Sequence, residues 1–569
     1  MNALIRRVRR RAEGLLFGAL LLWAAAVPAG ERPPAVAVAS AHPLATEAGL
    51  EVLAAGGNAF DAAVTVAAVL AVVEPYGSGL GGGGFWLLHR ASDGRQVMID
   101  GRERAPLAAT PDLFLDAQGR VVPRASIDGP LAAGIPGQPA ALVHLAERYG
   151  RLPLERTLAP AIRLAEGGVT VDTHYRDMAR FRLKVLRASP EAATTFLDHG
   201  HVPGEGFVLR QPALARTLRH MAQKGFDGFY RGAVAQELVR SVRAAGGIWR
   251  VEDLAGYRVV ERTPITGSYR GMRVVSAALP SSGGIVLVEM LNVLSGYPLG
   301  NLDTASRVHL LVEAMRRAYR DRAQYLGDPD YVSVPVRQLL SPDYAAGLRA
   351  GIHPRHATPS QWLAPVEDGE SAGGRHTTHY SILDAEGNRV AATLSINYPF
   401  GSGFVAGATG VLLNDEMDDF VARPGTPNVY GLVGGHANAI APGKRMLSSM
   451  SPTFLEHEGR IAILGTPGGS RIITMVLQAA LAFREGARAQ ELVAAPRIHH
   501  QYLPDRIDVE MDALDPEDMD ALQAMGHRIK LFDSGWGNMQ VIVWDRGAGR
   551  VEAASDPRRQ GEARIRPVP

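Results

Sequence analysis

At 569 residues the chain is too long for one ordinary hydrophobic core, and its 46% hydrophobic and 21% charged residues are globular composition that excludes a disordered or fibrous protein. Lys+Arg total 60 against 58 Asp+Glu, a net +2, and much of the basic excess sits in Arg6, Arg7, Arg9, Arg10 and Arg11, so the body of the chain offers nucleic acid no basic surface. The absence of cysteine excludes a disulfide framework, a thiolate nucleophile and a cysteine metal site.

The arginine cluster precedes an apolar run, Leu15 to Val27, and small residues at Ala24-Ala25-Ala26 or Val27-Pro28-Ala29. That run is shorter than the roughly 20 residues of a spanning helix, so residues 1–29 are expected to be a cleavable export signal. The mature protein is then expected across the inner membrane, in the periplasm, and at a membrane only if the segment is retained. From Ala41 to Val73 the apolar residues recur at helical spacing around Gly56-Gly57, which predicts two packed helices. Next comes Gly77-Ser-Gly-Leu-Gly-Gly-Gly-Gly84, followed by Phe85-Trp-Leu-Leu-His, a buried strand. Gly79, Gly81 and Gly84 satisfy G-x-G-x-x-G, but they follow a helix and open a strand, the reverse of a dinucleotide site, so close backbone packing is expected.

The segment from about Ile127 to Asp328 alternates helical patterns with breaks at Gly134-Ile-Pro-Gly137 and Pro280-Ser-Ser-Gly-Gly284, and is expected to be mostly α-helical. Around Leu363 to Gly374 the composition turns to Pro, Glu, Asp, Gly and Ser, an exposed boundary unfit for a core. Beyond it Thr378–Asp384, a turn at Glu386-Gly-Asn388 and Arg389–Asn397 predict a β-hairpin. A linker running straight into a strand headed by a hydroxyl residue, Thr377, is the arrangement an N-terminal nucleophile needs. Attack of the Thr377 hydroxyl on the preceding carbonyl, then hydrolysis, frees an α-amine of pKa about 7.7 to 8.0 that serves the same residue as base. Taken alone, a Thr-Thr pair at the head of a strand is most often plain β-propensity.

Four motifs in this region, His376–Asn388, Leu412-Leu-Asn-Asp-Glu-Met-Asp-Asp-Phe420, Leu447-Ser-Ser-Met-Ser-Pro-Thr453 and Thr466-Pro-Gly-Gly-Ser-Arg471, resemble in order and spacing the small-subunit motifs of the γ-glutamyltranspeptidases. Upstream, Glu51–Ala63, Leu80–Phe85, Gly101-Arg-Glu-Arg-Ala-Pro106, Gly134–Gly137 and Tyr325–Asp330, and downstream Ala495–Gln501, are similar to the same family. The resemblance implies an α+β, N-terminal-nucleophile hydrolase fold: a four-layer αββα sandwich made jointly by a large subunit, 30–376, and a small subunit, 377–569, cut apart between His376 and Thr377.

It further implies roles. Thr377 is the nucleophile, and Ser395 stands where the family usually has a threonine whose hydroxyl contacts it; serine lacks the methyl that restricts rotation. Asn397, Glu416 and Asp419 match positions that hold a substrate α-amino group, and Arg102, Ser448 and Ser449 positions that hold its α-carboxylate, for which a guanidinium fork is suited. Gly468 and Gly469 match the oxyanion hole. The loop Pro424–Gly435 resembles a lid, with Tyr430 as its latch. The implied substrates are glutathione and other small γ-glutamyl compounds, with water, an amino acid or a dipeptide as acceptor and no cofactor. An acylase for glutaryl β-lactams and a non-catalytic exported binding protein are the alternatives. His376 and His379, three apart on a strand, point to opposite faces, so neither they nor His499-His500 are expected to hold a metal.

Overall fold

The fold is a computed structural model that describes residues 32–363 and 377–568. The expected export signal and the linker beyond Leu363, including His376, lie outside the described residues.

The predicted helix pair forms as α1 (Pro43–Ala54) and α2 (Ala59–Val73). Asn58 starts α2 with a capping box: its Oδ1 accepts from the Phe60 and Asp61 amides while Asp61 Oδ2 accepts from the Asn58 amide at 2.9 Å. Every residue of α2 is buried, as a helix apolar on all sides requires.

Two antiparallel sheets carry the molecule. The first uses β1 (Ala35–Ser40), β2 (Gly83–Arg90), β3 (Arg95–Gly101) and β4 (Val260–Arg262). The second begins with β5 (Ile265–Tyr269) and β6 (Met272–Ser276). The predicted hairpin, β7 (Thr378–Leu383) and β8 (Arg389–Ser395), joins the first sheet. The second is completed by β9 (Thr453–His457), β10 (Arg460–Gly465), β11 (Gln540–Asp545) and β12 (Arg550–Ser555), and β13 (Glu562–Pro567) closes the first. The orders are β13-β1-β7-β8-β2-β3-β4 and β12-β11-β10-β9-β6-β5. Strands β4, β5 and β6 interrupt the segment expected to be mostly helical, their short runs being masked by the long helical stretches on both sides.

Side-chain alternation shows the layers. In β8, Val390, Ala392 and Leu394 pack into a core with α1 and α2, whereas Ala391 packs between the sheets. In β10, Ile461 and Ile463 join that central layer with Leu87, Phe454 and Trp544, while Ala462 and Leu464 face helices α3 (Gly283–Leu294), α4 (Thr304–Tyr325) and α5 (Ile472–Arg484). The result is the expected αββα sandwich. Residues before and after Thr377 alternate within it: β1 lies between β13 and β7, and β8 pairs with β2. A cut in front of Thr377 would leave two chains sharing both sheets.

The glycine run packs closely, as expected. A Cβ at Gly81 would stand 2.0 Å from the Leu412 carbonyl, and one at Gly82 2.1 Å from that of Ser395, so backbone alone fits there.

The stretch upstream of Leu363 is fastened to residues beyond Thr377 by buried charges. Arg316 on α4 donates to Glu313, to Ser360 Oγ at 2.7 Å and to Asp505. Asp505 Oδ2 accepts the Ser360 amide at 2.8 Å, and Ser360 Oγ donates to the Tyr502 carbonyl at 2.7 Å. Burial pushes the Glu313 carboxyl up, but Arg316, Thr358 and Arg317 overcome it and hold the group at about 2. Its contribution to stability is complete above its unfolded value of 4.5 and is lost as pH falls towards 2. Replacing Asp505 by Ala removes a carboxylate from the buried Arg316, and is expected to cost about 2–4 kcal/mol, read from denaturant unfolding at pH 7. An unchanged midpoint would show that solvent replaces the pair.

Candidate active site

The strand ends and the glycine run build the floor of a cleft. Thr377 immediately precedes β7 and Ser395 ends the neighbouring β8, where Leu394 and Thr378 are paired, so the two hydroxyls meet with Oγ1 and Oγ 3.4 Å apart. Ser395 Oγ also accepts the Asn397 amide at 2.7 Å, and Ser395 and Glu416 line the same cleft. Asn397 holds φ at +70°, a left-handed conformation that asparagine tolerates, and its Nδ2 donates to the Asp415 carbonyl at 3.0 Å.

Arg102 forms the opposite wall, fully buried. Its Nη1 donates to Glu416 Oε2 at 2.7 Å, its Nη2 to Asp419 Oδ2 at 2.5 Å and its Nε to the Met446 carbonyl at 3.2 Å. Asn414 sets the carboxylate loop: its Oδ1 accepts the Glu416 and Gly134 amides at 2.9 Å, and its Nδ2 donates to the carbonyls of Gly81 at 2.6 Å and Gly134 at 2.8 Å. All four hydrogen bonds of that amide are used.

Burial pushes the Glu416 carboxyl up to about 7 although Arg102 pulls it down, because Asp419 opposes ionisation. Glu103, buried 3.5 Å from Arg102, is pushed far up by burial and by Glu416, and neither of its oxygens has a hydrogen-bond partner. One guanidinium thus faces three carboxyl groups. The surplus of carboxyl groups favours a ligand that brings an ammonium to Glu416 and Asp419.

Ser448 and Ser449 complete this wall. Ser448 Oγ accepts the Met450 amide at 3.1 Å, and Ser449 Oγ accepts from Arg322 Nη2 at 3.2 Å. Next to them Gly468 has φ +145° and Gly469 φ +57°, and they open a short turn that runs into α5. The amides at this helix entrance carry positive partial charge and suit a developing oxyanion. Tyr319 of α4 donates to the Ser470 carbonyl and steadies the turn.

The loop Pro424–Gly435 covers the cleft and is tied down. Tyr430 donates to the Asn397 carbonyl at 2.8 Å, its ring lies where a Gly469 Cβ would come within 2.5 Å, and its own carbonyl accepts Gln501 Nε2 at 3.0 Å. Asn428 Nδ2 reaches Asp419 Oδ1 at 3.1 Å. The closed cleft keeps about 20 Å³ of water-accessible room.

Arg102, Thr377, Ser395, Asn397, Glu416, Asp419, Tyr430, Ser448, Ser449 and Gly469 all line this cleft; Gly468 sits one residue behind its wall. Sequence reading missed Glu103, Tyr319, Arg322 and Asn428. The position of Glu103 inside Gly101-Arg-Glu-Arg was a signal for that residue, whereas an arginine on a charged helix offers none. His379 is buried against Thr393 and Ser381, His499 against Thr474 and Gln501, and His500 against Asp505. Among the described residues one trio of potential metal ligands converges, His309, Glu313 and His527, with donor atoms within 4.8 Å. Glu313 is engaged there by Arg316, Arg317 and Thr358, and His309 Nδ1 is hydrogen-bonded to His527 Nε2 at 2.8 Å, so two cations already occupy the carboxylate. Reading along the chain does not join residues so far apart.

Because Ser395 has no methyl to fix its rotamer, Ser395→Thr is expected to raise the self-cleavage rate by roughly two- to fivefold in a timed electrophoretic assay. A slower variant would show that the cleft lacks room for the methyl.

The model of the family described as gamma-glutamyltranspeptidase matches residues 45–565. A glutathione hydrolase proenzyme of Pseudomonas sp. (strain A14) is 45% identical over 536 residues, 92% of each chain. The crystal structure of cephalosporin acylase from Bacillus halodurans superposes with a TM-score of 0.81 at 32% identity, covering 94% of this chain and 96% of that one. The structure of Helicobacter pylori gamma-glutamyltranspeptidase matches at 41% identity with a TM-score of 0.56, covering 57% of this chain and 94% of that chain. By sequence and by fold, this chain belongs to the γ-glutamyltranspeptidase family.

Proposed function

We propose that the protein is a self-processing γ-glutamyltransferase and glutathione hydrolase that works as two chains, 30–376 and 377–569, after export to the periplasm. The observation that carries this reading is the meeting, in one closed cleft, of the Thr377 hydroxyl with a buried arginine flanked by two carboxylates. Such a clamp suits the α-amino acid end of a γ-glutamyl group and leaves its γ-carbonyl to the nucleophile. The name of the Pseudomonas relative, a proenzyme, supports processing, and the basic and apolar segment 1–29 supports export.

In maturation Thr377 Oγ1 attacks the His376 carbonyl, the acyl group moves from nitrogen to oxygen, and water hydrolyses the ester. In turnover the freed α-amine accepts the proton of Thr377 Oγ1 as that oxygen attacks the γ-carbonyl. The amides of Gly468 and Gly469 receive the oxyanion, and the same ammonium protonates the departing amine. Water or an amino-acid amine, deprotonated by the Thr377 amine, then releases the γ-glutamyl group.

The second reading, a side-chain acylase, is favoured by the likeness to cephalosporin acylase. Glu416 and Asp419 oppose it, since a glutaryl group brings no ammonium to them. Comparing γ-glutamyl and glutaryl anilides decides between the two. The γ-glutamyl compound is expected to have a kcat/KM at least about 100-fold higher, the worth of an ammonium held by two carboxylates; equal values would overturn the proposal.

A further inference from the structure

Thr377 lines the walls of two cavities. The first is the cleft already described. The second lies against Glu74, Tyr76, Asp172, His174 and Arg559 and offers about 20 Å³ of water-accessible room. That is space for one water among polar groups. Nothing in the mechanism above uses Glu74, although it is a buried carboxylate at the end of α2. Its Oε2 accepts from Thr378 Oγ1, the residue next to the nucleophile, at 2.8 Å, and its Oε1 from Tyr76 at 3.3 Å. The place where a Gly77 Cβ would stand is 3.8 Å from the Thr377 carbonyl oxygen and 3.9 Å from Glu74 Oε2, so the carboxylate and the nucleophile's own backbone border the same small space.

We propose that Glu74 is a positioning residue for the nucleophile, whose charge, set beside the Thr377 backbone across the second cavity, governs the protonation of the Thr377 α-amine. The inference rests on the reading of Thr377 as an N-terminal nucleophile. Tyr76 faces the carboxylate from its own segment, Thr378 from β7, Asp172 and His174 from the start of the helix Thr173–Phe181, and Arg559 from the stretch before β13. Burial pushes Glu74 up to about 7, against the hydrogen bonds of Thr378 and Tyr76 and with the help of Asp172. The carboxyl therefore changes charge just below the range in which an α-amine titrates, about 7.7 to 8.0. Two charges about 8 Å apart at an effective dielectric of about 20 shift each other's titration by the order of one pH unit. An ionised Glu74 holds the amine as ammonium to higher pH and delays the base.

The test is the pH profile of kcat/KM for a γ-glutamyl anilide, with Glu74→Gln keeping an acceptor for Thr378. The acid limb, which reports the essential base, is expected to move down by about one pH unit, so that well below neutrality the variant retains about tenfold more of its plateau activity than the wild type. Glu74→Asp, which keeps the charge, should restore the wild-type limb. A self-cleaved Glu74→Gln enzyme with an unmoved limb overturns the inference and leaves the reading of Thr377 intact, whereas a wild type with no free Thr377 amine overturns that reading first. Should Glu74→Gln not fold, the amine signal of ¹⁵N-threonine-labelled wild type decides. Coupled to Glu74, it shows a second inflection near pH 7; a single inflection contradicts the coupling.

Discussion

Thr377→Ala is expected to give a single unsplit chain with γ-glutamyl turnover reduced by about 10⁴-fold or more. In the proposed mechanism the substitution removes the atom that carries both reactions, and groups acting as a unit with a nucleophile contribute little once it is gone. Ser395 does not replace it. Its Oγ is 3.4 Å from the missing position, accepts the Asn397 amide, and has no free α-amine beside it. The αββα core should be unaffected, because Thr377 precedes β7 and contributes nothing to the packed layers. Circular dichroism and the unfolding midpoint therefore serve as controls. Adding a purified small chain beginning with Thr377 should not restore turnover, since both sheets interleave residues from before and after that position.

Substitution of Arg102 ranks second in size, and two variants separate its two roles. Arg102→Lys keeps a positive charge but cannot span Glu416 and Asp419, which accept from different nitrogens of the fork at 2.7 and 2.5 Å. A fall of about 10²- to 10³-fold in kcat/KM is expected, mostly through KM, because on the proposed reading the same fork receives the substrate carboxylate. Arg102→Met should also lose about 3–5 kcal/mol of stability at pH 8. It removes the guanidinium that pairs with Glu416 and Asp419 and lies 3.5 Å from Glu103 in a buried site. The sign of the pH effect follows from Glu416. In this site its pKa is raised above the unfolded value of 4.5 to about 7, so ionising it as pH rises towards 7 and beyond costs the folded state stability. Without Arg102 that cost grows, and the variant should be closest to the wild type near pH 5 and furthest from it in alkali. Equal losses at pH 5 and pH 8, read from denaturant unfolding, would contradict this electrostatic assignment.

The sequence was most legible where local chemistry and topology agreed. Asn58 with Asp61 marks the start of α2, the Glu386-Gly-Asn388 turn joins β7 to β8, and the glycine run opens a strand at contacts no side chain could enter. The cleft was legible through motifs that carry several contacts within a few residues, as in Asn414, Glu416 and Asp419. What escaped comes from residues whose role arises only on folding. Arg322 and Tyr319 lie on a 22-residue helix rich in arginine, and nothing local tells which of its faces supports Ser449 and Ser470. Strands β4 to β6 are short, and β6 belongs to the second sheet only because β9, far later in the chain, pairs with it, while β5 joins at the edge through β6. Glu74 reads as the last residue of an apolar helix until Thr378 and Thr377 are brought beside it.

The most direct test is denaturing electrophoresis of the purified protein, followed by N-terminal sequencing of the smaller product. Two bands are expected, the smaller beginning Thr-Thr-His-Tyr-Ser from Thr377. An active enzyme that stays in one piece, or a small chain that begins at any other residue, would contradict Thr377 as the nucleophile.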